Sequence, residues 1–545
     1  RLVGSEMCIR DSAKSSAVMT AGTLVSRVLG LVKTVLLTAA IGLAIGGAAD
    51  AFDVANKVPN NLYMLLAGGI LNAVLVPQIV RASKQADGGV DYINRLLTLS
   101  ILLLAGFTAI ATLAAPVLVR IYASPTWDAD KIALAVAFAY ISLPKIFFFG
   151  LYTMLGQVLN AKENFGPYMW APVLNNLVSI AGLGLFIFLF GPGDMGQHAV
   201  GTWDAAKIWV IAGTGTLGVV AQALILIWPL KRIGFTYTPT FGFRGVGLGT
   251  AGKVAGWTFA AVLVGQLGFI VTSQVASTAS STGTEVTPSL AAYTAAYITF
   301  MLPHSLVAVS LSTALFTDLS QSAADQNDEK LVDTYTQGVR VVGFVNTFFT
   351  VAFIVLAAPM SMVMAGANQT QARAVGIIVI TMIIGLIPFS GMYLTQRVFY
   401  AYEDARTPFW IQVPQIIIQS AGVIASAFLP KQYIVAGIGA SMSLGYVFSL
   451  ALAVWCLRKR LPSLPIASTM FAHLRFGLAG LVSGAVGFAM MWFLPDPMWG
   501  GRARAFLVCA VIGCVMLAVF MLAAWLIRVP EMRSLVTAVR TKLGR

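Results

Sequence analysis

Five cations set inside long apolar stretches carry most of the chemistry this sequence offers: Arg27, Lys33, Lys57, Lys145 and Arg397. An ionised side chain in hydrocarbon costs several kcal/mol, so each must face protein or a wet cavity, or reach the membrane surface along its aliphatic stem. Acidic residues at similar depth are scarce. Asp50 and Asp53 come just before the second apolar run, and Asp53 stands four residues before Lys57, the spacing of a helical ion pair. The excess is cationic. A cavity lined this way attracts anions, whereas an exporter of cationic drugs would need buried carboxylates.

Each candidate has a second reading. Arg27 and Lys33 are six residues apart, about 120° around an ideal helix, so they share a face only if Gly30 permits a bend. Arg27 faces a central cavity or packs against protein, and Lys33 and Lys145 line such a cavity or snorkel to an interface. Lys57 binds an anion or serves as half of an interfacial pair with Asp53. Arg397, near the end of its run, contacts substrate or only sets orientation. His304 reads as a structural histidine ahead of a proton relay. The stripe Gln412, Gln415, Gln419 reads as helix–helix hydrogen bonding ahead of a cavity lining.

Enzymatic chemistry finds no support. Two GxGxxG strings, beginning at Gly213 and Gly247, lie in or beside apolar runs and not after a strand of a βαβ unit, so they serve close helix contact. No P-loop, HExxH or nucleophile elbow occurs. The cysteines Cys8, Cys456, Cys509 and Cys514 and the three histidines have no metal-ligand spacing, so no cofactor is expected.

The elements that must position these cations are helices. Of 545 residues 58% are apolar and 10% charged, with mean hydropathy +0.83, against about a quarter charged in soluble domains. About fourteen apolar runs, each long enough to cross about 30 Å of hydrocarbon, fall near 17–45, 57–81, 93–120, 132–160, 167–191, 206–230, 250–274, 291–317, 337–364, 372–400, 409–429, 433–457, 471–494 and 504–527. The fold class is thus an all-α polytopic membrane protein. The net charge of +14 then points to basic cytoplasmic loops and not to nucleic acid. Alternate loops hold 20 Lys and Arg on one side against 8 on the other, which places both termini in the cytoplasm. The Ser/Thr-rich stretch from Ser273 to Ser289 becomes an external flexible loop.

An internal repeat organises the runs. Leu143-Pro144, Leu159 to Glu163, Pro167 and Pro172 recur as Ile387-Pro388, Phe399 to Glu403, Pro408 and Pro414, and Val58-Pro59-Asn60 recurs as Leu302-Pro303-His304. The offsets, 240 and 244, imply two parallel six-helix repeats, an N-lobe (17–232) and a C-lobe (233–460), followed by two extra helices and a basic tail (461–545). A two-lobed transporter follows, since substrate sites lie between repeats. Residues 1–16 fit no later pattern and are set apart as a non-native or disordered terminus.

Three motifs carry a resemblance. Ser26-Arg27-Val-Leu-Gly30-Leu-Val-Lys33 is similar to S-R-x-x-G-x-x-R. Asp50 to Phe52, Lys57-Val-Pro59-Asn60 and Val76-Pro77 form the second. Arg397-Val-Phe-Tyr-Ala-Tyr-Glu-Asp404-Ala-Arg406-Thr-Pro408 resembles R-x-F-Y-A-x-x-D-T-R-T-P. Together they resemble the bacterial lipid II flippase family, MurJ/MviN, of the multidrug/oligosaccharidyl-lipid/polysaccharide exporter superfamily, over roughly residues 15–528. The resemblance implies that an undecaprenyl-pyrophosphate-linked peptidoglycan precursor crosses from the cytoplasmic to the outer leaflet of the inner membrane by alternating access. It also implies a cationic cavity for the head group and a tail groove at the last two helices. The expected substrate-binding residues are Arg27, Lys33, Asp50, Lys57, Asn60, Lys145 and Arg397. The expected partners are lipid II, membrane lipids and cell wall synthesis proteins, with any coupling ion unassigned. The family's pattern is broken at Lys33, Tyr63, Gly68 and Ile298. Competing readings are a multidrug or cation antiporter, a flippase for another isoprenoid-linked oligosaccharide, and a non-transporting scaffold.

Overall fold

Backbone in hydrocarbon must satisfy its own polar groups, so apolar runs of this length form helices. The structure, a computed structural model, describes residues 2–42, 47–67, 89–162, 164–193, 198–241, 252–279, 287–365 and 368–532, and no strand occurs among them. The chain divides into two compact units, Arg1–Gln266 and Leu267–Arg545.

The first unit contains α1 (Leu2–Ile41), α2 (Ala48–Leu66), α3 (Val90–Leu113), α4 (Ala115–Tyr122), α5 (Ala129–Ser142), α6 (Lys145–Ala161), α7 (Gly166–Phe190), α8 (Ala205–Ile208), α9 (Thr214–Leu224) and α10 (Ile227–Arg232). A π-helical segment, Trp209–Gly213, joins α8 to α9. Helix α11 (Gly252–Thr278) crosses the division. The second unit continues with α12 (Leu290–Pro303), a π-helical segment His304–Val309, α13 (Ser310–Ala324), α14 (Asp328–Val355), α15 (Ala357–Ala365), α16 (Gln369–Ile383), α17 (Leu386–Ala401), α18 (Arg406–Ser426), α19 (Lys431–Arg460), α20 (Ile466–Trp492) and α21 (Arg502–Leu526).

Among the described residues thirteen spans are long and apolar enough to cross a membrane, counting α16 and α17, bent by 41°, as one. Helix α2 is not among these thirteen, and the rest of the expected run 57–81 lies outside the described residues. So do Arg81, Lys84, Val76-Pro77, Gly68 and the second GxGxxG string up to residue 251.

Three expectations change. Helix α2 starts at Ala48, not near 57, because Gly47 turns the chain with φ 71° and Asp50 can sit in the first turn, where the helix dipole favours an anion. Helix α1 is already helical at Leu2 and passes Gly30 without a break. The loop expected over Ser273–Ser289 starts later than the Ser/Thr composition suggests, since α11 runs to Thr278. Hydroxyls there bond to their own helix, Thr272 to Gly268 O and Thr278 to Val275 O, so Ser273 and Ser277 are buried inside a helix.

The duplication is visible atom by atom. After α6 the amide of Lys162 donates to Val158 O and Leu159 O, and that of Asn164 to Leu159 O at 2.9 Å. After α17 the amide of Tyr402 donates to Val398 O and Phe399 O, and that of Asp404 to Phe399 O at 2.9 Å. This is one turn at an offset of 240. In the second copy Asp404 also caps α18, accepting from Thr407 N at 2.9 Å and Thr407 Oγ1 at 2.6 Å. The hydroxyl of Tyr402 donates to Asp328 at 2.7 Å. Burial first, and then that hydrogen bond, push the hydroxyl up to about 12, so it stays a donor at neutral pH.

The last two helices belong to the second unit. Phe344 of α14 meets Phe476 of α20 and Phe520 of α21 with ring centroids 5.4 and 5.0 Å apart. Where α20 turns into α21, Asp496 accepts two hydrogen bonds from Arg373, at 2.7 and 2.8 Å.

The first GxGxxG string is helical, and its last glycine allows α9 to touch α7. A Cβ on Gly218 would lie 2.9 Å from Asn175 O and from Ser179 Oγ. Gly218→Ala therefore forces the two helices apart, and thermal unfolding in detergent is expected to register a loss of about 1–3 kcal/mol.

Candidate functional site

The first unit holds four of the five candidate cations, Arg27 and Lys33 on α1, Lys57 on α2 and Lys145 at the start of α6, which packs against both α2 and α9. Pro144 interrupts the helical hydrogen bonding between α5 and α6 because it has no backbone N–H to donate, while Leu143 before it stays helical at φ −61° and ψ −33°. Lys145 then starts α6, fully enclosed at 4% exposure. Its ammonium donates to Asn56 Oδ1 of α2 at 2.6 Å. Gly215 of α9 leaves room beside it, since a Cβ there would stand 3.6 Å from Nζ. Lys33 of α1, half-buried, is near enough for its charge to act on Lys145. No carboxylate pairs with Lys33 or Lys145 among the described residues.

Helix α1 is fixed beside this pair by α7: Asn176 Nδ2 donates to Ser26 O at 2.8 Å and Ser26 Oγ at 3.2 Å, next to half-buried Arg27. Lys57 holds Asp53 at 3.0 Å, the i,i+4 pair read from the sequence. Asn60, one turn on, is exposed. Tyr63, where the resemblance expects an arginine, hydrogen-bonds Thr153 of α6 and packs on Phe149 at 5.4 Å.

Asp50 stands apart from the other candidates. It is 1% exposed and paired with Lys131 of α5 at 3.2 Å. The Lys131 ammonium also lies 4.0 Å over the Trp127 ring, and a Cβ on Gly47 would come within 3.0 Å of it. This ion pair is closed on all the sides the structure describes, and it ties the start of α2 to the start of α5.

In the second unit Arg397 is half-buried, hydrogen-bonds the Tyr393 hydroxyl, and has its guanidinium carbon 4.7 Å from the Tyr393 ring and 5.8 Å from the Phe316 ring. His304 is buried in a polar chain: its Nδ1 lies 2.9 Å from Ser390 Oγ, which accepts from Asn346 Nδ2 at 2.9 Å. That is the structural role. Gln415 and Gln419 lie against Gly445 of α19, so this part of the glutamine stripe faces a helix–helix contact.

Sequence reasoning missed Asn56 and Lys131. Nothing local in the sequence marks Lys131 as the partner of a residue 81 positions away. Asn56 had a signal, its place four residues before Asn60 and seven before Tyr63 on one face of α2, but an asparagine beside a lysine drew no attention.

A duplicated helical scaffold with cations buried in one repeat defines a polytopic membrane transporter fold. The family model for "Lipid II flippase MurJ" matches residues 39–499. A probable lipid II flippase MurJ of Vibrio cholerae is 25% identical over 522 residues, 92% of this chain and 93% of that protein. The lipid II flippase MurJ of Burkholderia cenocepacia is 26% identical over 449 residues, 80% and 82% of the two chains. Among solved structures, a lipid II flippase MurJ in an inward closed conformation superposes with a TM-score of 0.69 at 18% identity, covering 92% of this chain and 98% of that one. An inward-facing multidrug resistance MATE family transporter superposes with a TM-score of 0.65 at 17% identity, covering 82% and 98%. The chain belongs to the lipid II flippase MurJ family.

Removing Lys131 leaves the Asp50 carboxylate buried without its counter-ion. Lys131→Leu is expected to cost about 3–5 kcal/mol, most of it regained when Asp50→Leu is added, as read from thermal unfolding of the purified protein in detergent.

Proposed function

We propose that this chain is a flippase, not an enzyme, that carries lipid II, the undecaprenyl-pyrophosphate-linked peptidoglycan precursor, from the cytoplasmic to the outer leaflet of the inner membrane. The observation that carries the reading is the enclosed Lys145 ammonium, held by a neutral amide inside a membrane-spanning unit, with Lys33 half-buried in the same unit and no carboxylate against either among the described residues. Two like charges near each other in a poorly solvated site repel, and a doubly anionic group relieves both at once. A pyrophosphate is such a group, and its own desolvation is offset only where cations await it.

Arg27, Lys33, Lys57 and Lys145 are the residues assigned to the pyrophosphate, with Asn60 one turn from Lys57 as a polar contact. Lys57 exchanges its Asp53 partner for a phosphate oxygen. Asp50 acts at one remove, by fixing α2 through Lys131. Arg397 is the candidate contributed by the second unit, oriented by Tyr393. Exposing the first unit's cluster to one side of the membrane and then to the other moves the head group while the isoprenoid chain stays in lipid.

Both termini are assigned to the cytoplasm. The asymmetry of 20 basic residues against 8 supports this, and on the more basic set of loops Arg232 lies over Trp228 at 3.7 Å and Lys459 over Trp455 at 3.5 Å. Exposed rings with a cation one turn on suit the headgroup level. A cation exporter is the weaker reading, because the two acids of α2, Asp50 and Asp53, are already held by lysines.

The test is the leaflet distribution of lipid II in bacterial cells depleted of their own flippase. The wild-type chain restores outward-exposed lipid II, and Arg27→Ala and Lys33→Met each reduce the initial rate about tenfold, the equivalent of one charge-assisted contact. Unchanged rates in both variants would overturn the site, and efflux of cationic dyes without lipid II movement would overturn the function.

A further inference from the structure

The two repeats make the same helix–helix contact with different chemistry. At an offset of 244, Asn56 corresponds to Phe300 and Lys145 to Phe389. In the first unit Lys145 donates to Asn56 at 2.6 Å, and in the second the Phe300 and Phe389 rings lie 5.6 Å apart. Packing alone is therefore met by two phenyl rings. Placing an ammonium at this seam costs the fold desolvation that the apolar version avoids, so the polar pair needs a reason other than packing.

The reason lies in the number of hydrogens on the ammonium. Lysine has three donors and no acceptor, and Lys145 spends one of them on Asn56. The other buried lysine of the unit, Lys131, has the Asp50 carboxylate and the Trp127 face. The partner of Lys145 is a neutral amide, which fixes the direction of the side chain without cancelling its charge. Because an ammonium only donates, Asn56 must turn its Oδ1 toward Lys145, leaving two amide hydrogens on its other side.

We infer that Asn56 is a positioning residue for anion binding: it aims the Lys145 ammonium at the pyrophosphate of the lipid substrate while leaving its positive charge unspent. This rests on the flippase reading above and adds to it the residue that prepares the cation. An aspartate at position 56 would hold Lys145 at least as firmly, and would neutralise it.

That contrast gives the experiment. Wild type, Asn56→Asp, Lys145→Met and the double variant are purified at full length in detergent, and lipid II binding is titrated alongside thermal unfolding. Asn56→Asp is expected to keep or raise the unfolding temperature and to bind lipid II about tenfold more weakly, a loss of one charge-assisted contact. In the Lys145→Met background the same substitution is expected to change binding less than twofold, about the scatter of independent sites. Wild-type affinity in Asn56→Asp would overturn the inference, as would an equal loss with and without Lys145. A wild-type protein that binds no lipid II would overturn the flippase reading itself and this inference with it.

Discussion

A lysine ammonium enclosed among membrane helices has a charge to offset and three hydrogens to place, and the first unit treats two such lysines in opposite ways. Lys131 is matched by the Asp50 carboxylate and an indole face, so it joins helices and is chemically finished. Lys145 has a neutral amide and a neighbouring cation, Lys33, so its charge still calls for an anion. Uncompensated charge in a low-dielectric interior is costly, and the surrounding structure has to hold it in place. Close approach of α9 to α7 at Gly218 and the Asn176 clamp on α1 both do so.

Duplication makes this division of labour readable. Each repeat has a proline after its second landmark, the same backbone turn 240 residues apart, and the same seam between corresponding helices. In the second unit the seam is lined by Phe300, Phe389 and Tyr446 and closed by the chain His304–Ser390–Asn346. These three side chains bond to one another. In the first unit the seam holds the Lys145 ammonium. One scaffold thus supports an aromatic seam in one copy and a charged one in the other. The extra helices α20 and α21 attach to the second copy through aromatic packing on α14.

Helix number, repeat and cation positions were legible in the sequence because each leaves a local trace: apolar run length, proline landmarks, and charge inside a run. The helical pair Asp53–Lys57 was legible from spacing alone. What was not legible depends on tertiary contact. Asp50 reads as a companion of Lys57 in one dimension, yet it meets Lys131 across 81 positions. The start of α2 was placed late because hydropathy falls at Asp50 and Asp53, whereas ion pairing makes both compatible with a buried helix. The end of α11 was placed early because serine and threonine look like loop residues until their hydroxyls bond the preceding turn. The polar partner of Lys145 could have been found by laying the repeats over each other, where Asn56 falls on a phenylalanine.

The central claim is that two neighbouring ammonium groups of one repeat await a doubly charged head group. Binding of lipid II, a bridging diphosphate with two negative charges, and of an undecaprenyl monophosphate diester of the same sugar, with one, tests it most directly when both are measured side by side on the purified protein. The account predicts that the diphosphate binds about tenfold or more tightly than the monophosphate, a difference of about 1.4 kcal/mol, and that this preference collapses in Lys33→Met/Lys145→Met. Equal affinity for the two lipids, or a preference that survives the loss of both lysines, would contradict it.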